Sequence, residues 1–282
     1  MVQKTLPTSI GPFLLWTFLL SWALWLTAIG SGATISSPGA FFPYLLGGFG
    51  PSAAALLFIA REPQLEVRRS FLNRIATVHG VPGAVWTVLV LLPPLAMAAG
   101  IGWDLLLGGF PPAFELISAI ERQPLILASV ISLSLIFGPV SEELGWRGFA
   151  QPKLEQRFGV VLGNLILGGV WSLWHLPLFF LPGTVQSTWS IGDARFFLYL
   201  FEFIPLAYIY AWIFRRSDHS ILAAILLHFN LNLIFTVTGT LSMRAELFRI
   251  LFLCLSGLLL VLYAGDVLQK EAHSEETNLD VS

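Results

Sequence analysis

Charge is scarce along this chain. Asp, Glu, Lys and Arg make up 11% of it, against roughly 25% in ordinary soluble domains, which excludes a surface that faces water on every side. The net charge of −2 gives no electrostatic reason to expect nucleic acid, and no nucleic-acid partner is expected. Cysteine occurs once, as Cys254 inside an apolar stretch, where it has no partner for an intrachain disulfide and reads as a small buried hydrophobe. A His-Glu-x-x-His zinc motif is absent, and no internal repeat of the kind common in transporters is visible.

What remains is 56% hydrophobic, with a mean hydropathy of +0.78. Apolar runs of ~17 to 25 residues, the length that crosses a bilayer as a helix, recur near 12–30, 40–60, 83–103, 124–145, 160–181, 196–214, 219–238 and 246–265. Lipid offers backbone groups no partners and the runs do not alternate, so helices are expected throughout. The fold class is all-α: one polytopic transmembrane helical bundle of about eight helices with no soluble domain. The first run is long and carries Trp16, Trp22 and Trp25, with Lys4 alone as a basic side chain ahead of it, which argues against a cleaved signal.

With both termini cytoplasmic, eleven of the fifteen basic residues (Lys4, Arg61, Arg68, Arg69, Arg74, Arg147, Lys153, Arg157, Arg215, Arg216 and Lys270) fall inside, as the positive-inside bias requires. A multi-pass protein of a prokaryotic plasma membrane is expected, with lipid as its surroundings. Residues 61–78 space Leu65, Leu72 and Ile75 among arginines, consistent with an amphipathic helix on the cytoplasmic surface or a solvated, topogenic loop. Residues 104–122 read as a short re-entrant or interfacial helix. The polar tail from Lys270 onward is expected to lack regular structure. The organisation is therefore helices one to three with their connection (1–123), a central unit (124–238), a last span (239–268) and a polar tail (269–282).

Three places break the apolar pattern: Glu142, Glu143 and Arg147; His175; and His228 with Asn232. Glu143 and Arg147 are i and i+4 neighbours and can pair, which leaves Glu142 unpaired. Glu142 and His175 are 33 residues apart and the turn signal at Phe158-Gly159 is 16 from each. A hairpin there puts both about 24 Å from its tip at 1.5 Å per residue. His228 lies 12 residues past Arg216, about 18 Å into its helix, and Asn232 is one turn further on the same face. A carboxylate with a histidine can hold and deprotonate water, and a second histidine with an asparagine can donate to an oxyanion. An intramembrane carboxylate is also open to a proton-relay or ion-pathway role, and lone histidines and asparagines in membranes also serve as helix-helix hydrogen bonders.

The pattern Glu142-Glu143-x-x-x-Arg147, then Trp171-x-x-x-His175, then His228-x-x-x-Asn232 resembles the three motifs of the CAAX protease and bacteriocin-processing (CPBP, or ABI) family, which includes the type II CAAX prenyl endopeptidases. The resemblance implies a glutamate-dependent intramembrane endopeptidase in which Glu142 and His175 activate water, His228 and Asn232 form the oxyanion site, and Glu143 and Arg147 hold the first motif. Trp171 stands where the family more often has phenylalanine. Family members are often labelled metalloproteases. A divalent metal such as zinc would take Glu142, His175 and His228, whereas the amide of Asn232 is a poor zinc ligand, and the preferred expectation is water activation with no cofactor. The expected substrate is a membrane-embedded or prenylated peptide. The motifs do not separate CAAX processing from bacteriocin maturation or immunity. The alternative class is a non-proteolytic immunity or scaffold protein of the same fold, with a transporter ranked below it. Oligomeric state has no signal in the sequence.

Overall fold

The computed structural model describes residues 10–279, and side chains as far as residue 263. Among them no strand occurs. The helices are α1 (Ile10–Gly30), α2 (Pro38–Gly48), α3 (Gly50–Ala60), α4 (Leu65–Ala76), α5 (Gly83–Leu106), α6 (Glu115–Arg122), α7 (Leu125–Leu135), α8 (Ser141–Gly145), α9 (Gln151–Trp174), α10 (Ala194–Arg216), α11 (Ile221–Thr238) and α12 (Met243–Leu279). π-turns at Ile136–Val140 and Trp146–Ala150 link α7, α8 and α9. Large apolar side chains such as Leu15, Leu91, Phe197 and Leu258 lie exposed on the outer faces of the long helices, where only an apolar solvent would tolerate so many together. The protein is an integral membrane helical bundle.

Six of the described helical segments are long and apolar enough to span, or up to seven if the pair α2 and α3, bent by 48°, is one crossing. This is fewer than the expected eight. The expected fourth and fifth runs fall in one helical stretch, Leu125–Phe180, of 56 residues. As a straight helix it would be about 84 Å long, more than twice the ~30 Å hydrocarbon core. It is not straight. Gly159 adopts φ 76°, ψ 167°, a conformation that glycine reaches without steric cost, and the chain folds back there. Asn164 Nδ2 donates to Glu155 Oε1 at 2.7 Å and Trp171 Nε1 to Glu142 Oε2 at 2.7 Å, so the two legs meet in antiparallel order. Pro152 sits in the first turn of α9 without ending the leg, and the Gly148 carbonyl four residues before it accepts from Arg74 instead of from the N–H that proline lacks.

A second break interrupts the run 124–145, whose hydrophobicity is continuous. Phe137 (ψ 113°) and Gly138 (φ 92°, ψ −76°) leave helical geometry, Pro139 follows without an N–H, and Ser141 Oγ accepts the Gly138 N–H at 3.0 Å. Glu142 and Glu143 therefore open a new helix instead of closing an old one. Two side-chain caps anchor the elements opposite: Asp193 accepts from Phe196 N at the start of α10 and Ser220 from Ala223 N at the start of α11, the usual way of satisfying first-turn donors.

Residues 65–76 form a helix, the helical one of the two readings, and Ile75 packs partly buried against the core. Val67 and Phe71 are buried while Leu65 and Leu72 stay exposed, because Phe71 packs beside Gly148 and Arg74 donates to the Gly148 carbonyl at 3.3 Å. α6 lies against the bundle with no residue buried, which fits an interfacial helix better than a re-entrant one. Cys254 is partly exposed rather than buried. The tail also departs from expectation: α12 continues to Leu279, in a segment rich in helix formers and free of proline. Residues 280–282 and Lys4 lie outside the described part.

Candidate active site

Aromatic pairs pack around the motifs, with Phe13 stacked on Phe149 and Trp25 against Trp174, both at 4.6 Å between ring centres. Trp25 and Trp174 border a cavity of about 300 Å³ whose walls include Glu142, His175, His228 and Asn232. All four residues picked out in the sequence, drawn from α8, the end of α9 and α11, therefore face one space.

Glu142 is buried but not unpartnered. Its Oε2 accepts the indole N–H of Trp171 at 2.7 Å and of Trp146 at 3.2 Å, while Oε1 takes no hydrogen bond among the described residues. Trp171, chosen as a supporting aromatic, thus touches Glu142 directly through a donor that phenylalanine lacks. Trp146 was missed, although its place four residues after Glu142 makes it a neighbour on the same helical face.

His175 Nδ1 lies 2.8 Å from the Trp171 carbonyl. A carbonyl only accepts, so Nδ1 carries the hydrogen and Nε2 keeps its lone pair. Phe203 of α10 stacks on the imidazole at 4.4 Å and holds its plane.

Glu143 and Arg147 form the expected pair at 3.0 Å, both wholly buried. The guanidinium lies between the rings of Trp171 and Tyr210, 4.0 and 3.7 Å from their centres, which offsets the loss of hydration. Glu143 also receives His228: Nδ1 and Glu143 Oε1 are 2.6 Å apart. The Arg147-bound carboxylate is an acceptor, so Nδ1 donates. Sequence spacing could not show this contact, which joins residues 85 positions apart.

Asn232 Nδ2 donates to the Phe137 carbonyl at 2.9 Å, using one of its two hydrogens. A Cβ on Gly138 would stand 2.6 Å from His228 Nε2 and 2.8 Å from Asn232 Nδ2. The two nitrogens converge on this backbone kink, and only glycine leaves room there. Gly138→Ala is expected to lower turnover at least tenfold, since the methyl must push one of them aside and φ 92° strains any other residue. Steady-state kinetics beside a thermal unfolding curve would check this, and an unchanged rate would show that the corner is not used.

Among the described residues no three His, Cys, Asp or Glu side chains are placed to hold a metal ion. Within the candidate set Glu142 Oε2 is turned toward two indoles, and each histidine has committed one nitrogen elsewhere. A committed Nδ1 does not by itself disqualify a histidine, since ligating histidines usually donate through their second nitrogen; the open positions of the set are Glu142 Oε1 and the two Nε2 atoms.

Residues 124–234 match the sequence model of the family described as Type II CAAX prenyl endopeptidase Rce1-like. This central segment is similar to that family. Beyond it, CAAX prenyl protease 2 of Methanococcus maripaludis is 27% identical over 228 residues, covering 78% of this chain and 82% of the relative. The matched segment carries all three motif groups, the break at Gly138 and the reversal at Gly159.

Proposed function

We propose that the protein is an intramembrane endopeptidase that cuts a lipid-anchored, CAAX-type substrate with water activated by Glu142 and His175. The observation that carries this reading is the convergence of Glu142, His175, His228 and Asn232 on one cavity inside a membrane bundle. The relative's name, CAAX prenyl protease 2, supports the substrate class. In such a substrate the prenylated cysteine is fourth from the C-terminus. A cut just after it releases three residues ending in a free carboxylate.

A water in the cavity donates one hydrogen to Glu142 Oε1 and the other to the lone pair of His175 Nε2. As its oxygen attacks the scissile carbonyl carbon, Glu142 takes the proton. The new oxyanion accepts from the second Asn232 N–H and from His228 Nε2. Because His228 Nδ1 already donates to Glu143, Nε2 carries a hydrogen only in the doubly protonated ring, whose charge the Glu143 carboxylate faces. When the C–N bond breaks, Glu142 returns its proton to the departing amine, so the acyl product has gained OH and the amine H. Substrate lipid in the bilayer would raise the local concentration at the site. The charge bias of the loops supports cytoplasmic termini.

The test is cleavage of a quenched-fluorescent prenylated peptide by purified protein in proteoliposomes. Wild type is expected to cleave, and Asn232→Ala to lose about 10²- to 10³-fold in turnover, as for one oxyanion donor, with the melting temperature preserved. Addition of a chelator is expected to leave the rate unchanged. Loss on chelation with recovery on adding back a divalent ion would overturn the metal-free step. Intact substrate across a broader panel of membrane peptides would favour the scaffold or immunity reading.

A further inference from the structure

The cavity does not end at the catalytic side chains. It continues along one face of α10, past Phe203 and Tyr199 to Arg195, and takes in Trp189 from the loop before that helix. Arg195 has one hydrogen bond among the described residues, from Nη2 to the Leu241 carbonyl at 2.7 Å, and no ion pair. Trp189 Nε1 is buried without any partner, and its ring lies 5.6 Å from Tyr199, one turn from Arg195. A guanidinium with free donors and an orphaned indole N–H thus share one end of the cavity. Both can only donate, so their common ligand is an acceptor, and the guanidinium makes it an anion.

The neighbouring acids are already engaged. Asp193 accepts the N–H groups of Phe196 and Ser190. Glu202 is held by both terminal nitrogens of Arg249, at 2.7 and 2.6 Å, and Glu246 by the same guanidinium at 2.9 Å. Arg249 is therefore occupied on two sides, and Arg195 is the cation left for a ligand in this wall.

We propose that Arg195 and Trp189 bind the free C-terminal carboxylate of the peptide, setting how many residues lie beyond the scissile bond; this rests on the endopeptidase reading above. The lengths agree. Phe203, stacked on His175, marks the level of the chemistry, and Arg195 is eight residues toward the start of α10, about 12 Å at 1.5 Å per residue. Three extended residues from scissile carbonyl to terminal carboxylate span about 10 Å. A long, freely rotating arginine side chain covers the difference.

The experiment compares two prenylated peptides identical but for a free C-terminal acid or a C-terminal amide, with wild type, Arg195→Lys and Arg195→Gln in proteoliposomes. Wild type is expected to favour the acid by about tenfold in kcat/KM, carried by KM, the scale of one charge-assisted contact. The ratio should fall in Arg195→Lys and approach one in Arg195→Gln, with unchanged thermal unfolding. A wild-type ratio near one, or a ratio that persists in Arg195→Gln, would overturn the subsite. If neither peptide is cut, binding decides. Tighter binding of the acid that Arg195→Gln abolishes would uphold the carboxylate subsite and count against proteolysis, whereas equal binding of acid and amide would overturn the subsite itself.

Discussion

Glu142→Gln is expected to slow peptide cleavage by about 10³-fold or more while leaving the protein folded. A general base and its proton shuttle contribute ~10²- to 10⁴-fold, and glutamine cannot take the water's proton. It does keep an oxygen for the indoles of Trp146 and Trp171 in a side chain of the same size. Alanine is the poorer probe: it strands two buried N–H donors at about 1 to 3 kcal/mol each, so lost activity could reflect lost structure. Single-turnover cleavage in proteoliposomes, read beside thermal unfolding of the same preparation, separates the two. A near-wild-type rate from folded Glu142→Gln would remove Glu142 from the chemistry.

The largest effect on stability is expected at Arg147. Its guanidinium is wholly buried, paired with Glu143 and held between two rings. Arg147→Met removes the cation and leaves Glu143 as a buried carboxylate facing only His228, a loss of about 3 to 5 kcal/mol. Arg147→Lys should fall between, since an ammonium keeps the charge but not the flat surface that Trp171 and Tyr210 enclose. Removing both charges, in Glu143→Gln with Arg147→Met, is expected to recover much of the stability, because a neutral pair strands no charge. Activity should not return, since His228 Nδ1 would face an amide in place of a carboxylate. Equilibrium or thermal unfolding in detergent micelles measures the cycle. An Arg147→Met protein within about 1 kcal/mol of wild type would mean that water or another group replaces the guanidinium.

Much of this site was visible in one dimension because its spacings are short or symmetrical. Glu143 and Arg147 are four apart, His228 and Asn232 are four apart, and any carboxylate inside an apolar run stands out. The turn at Phe158-Gly159 lay midway between Glu142 and His175, so a simple count placed them at one depth. Elsewhere local pattern left a buried face unread or a break unseen. α4 turned Val67 and Phe71 inward because Gly148, more than 70 residues away, leaves a slot for the Phe71 ring. Phe137-Gly138-Pro139 carried a legible break signal, yet hydrophobicity runs straight through it, and hydrophobicity alone located the spans.

Composition and pattern by themselves determined that the chain is a helical membrane bundle and singled out the polar groups of its centre, because the cost of placing backbone and charge in lipid acts residue by residue; they passed over Asp104, Glu246 and Arg249, which are buried as well. Tertiary structure alone decided which polar groups became partners. It gave Glu142 to two indoles instead of leaving it bare, gave His228 to Glu143, and aimed His228 and Asn232 at the kink at Gly138. It also extended the cavity to Arg195. Each of these depends on distance and direction between segments far apart in the chain, and hydrogen bonds and ion pairs form only at the last few ångströms.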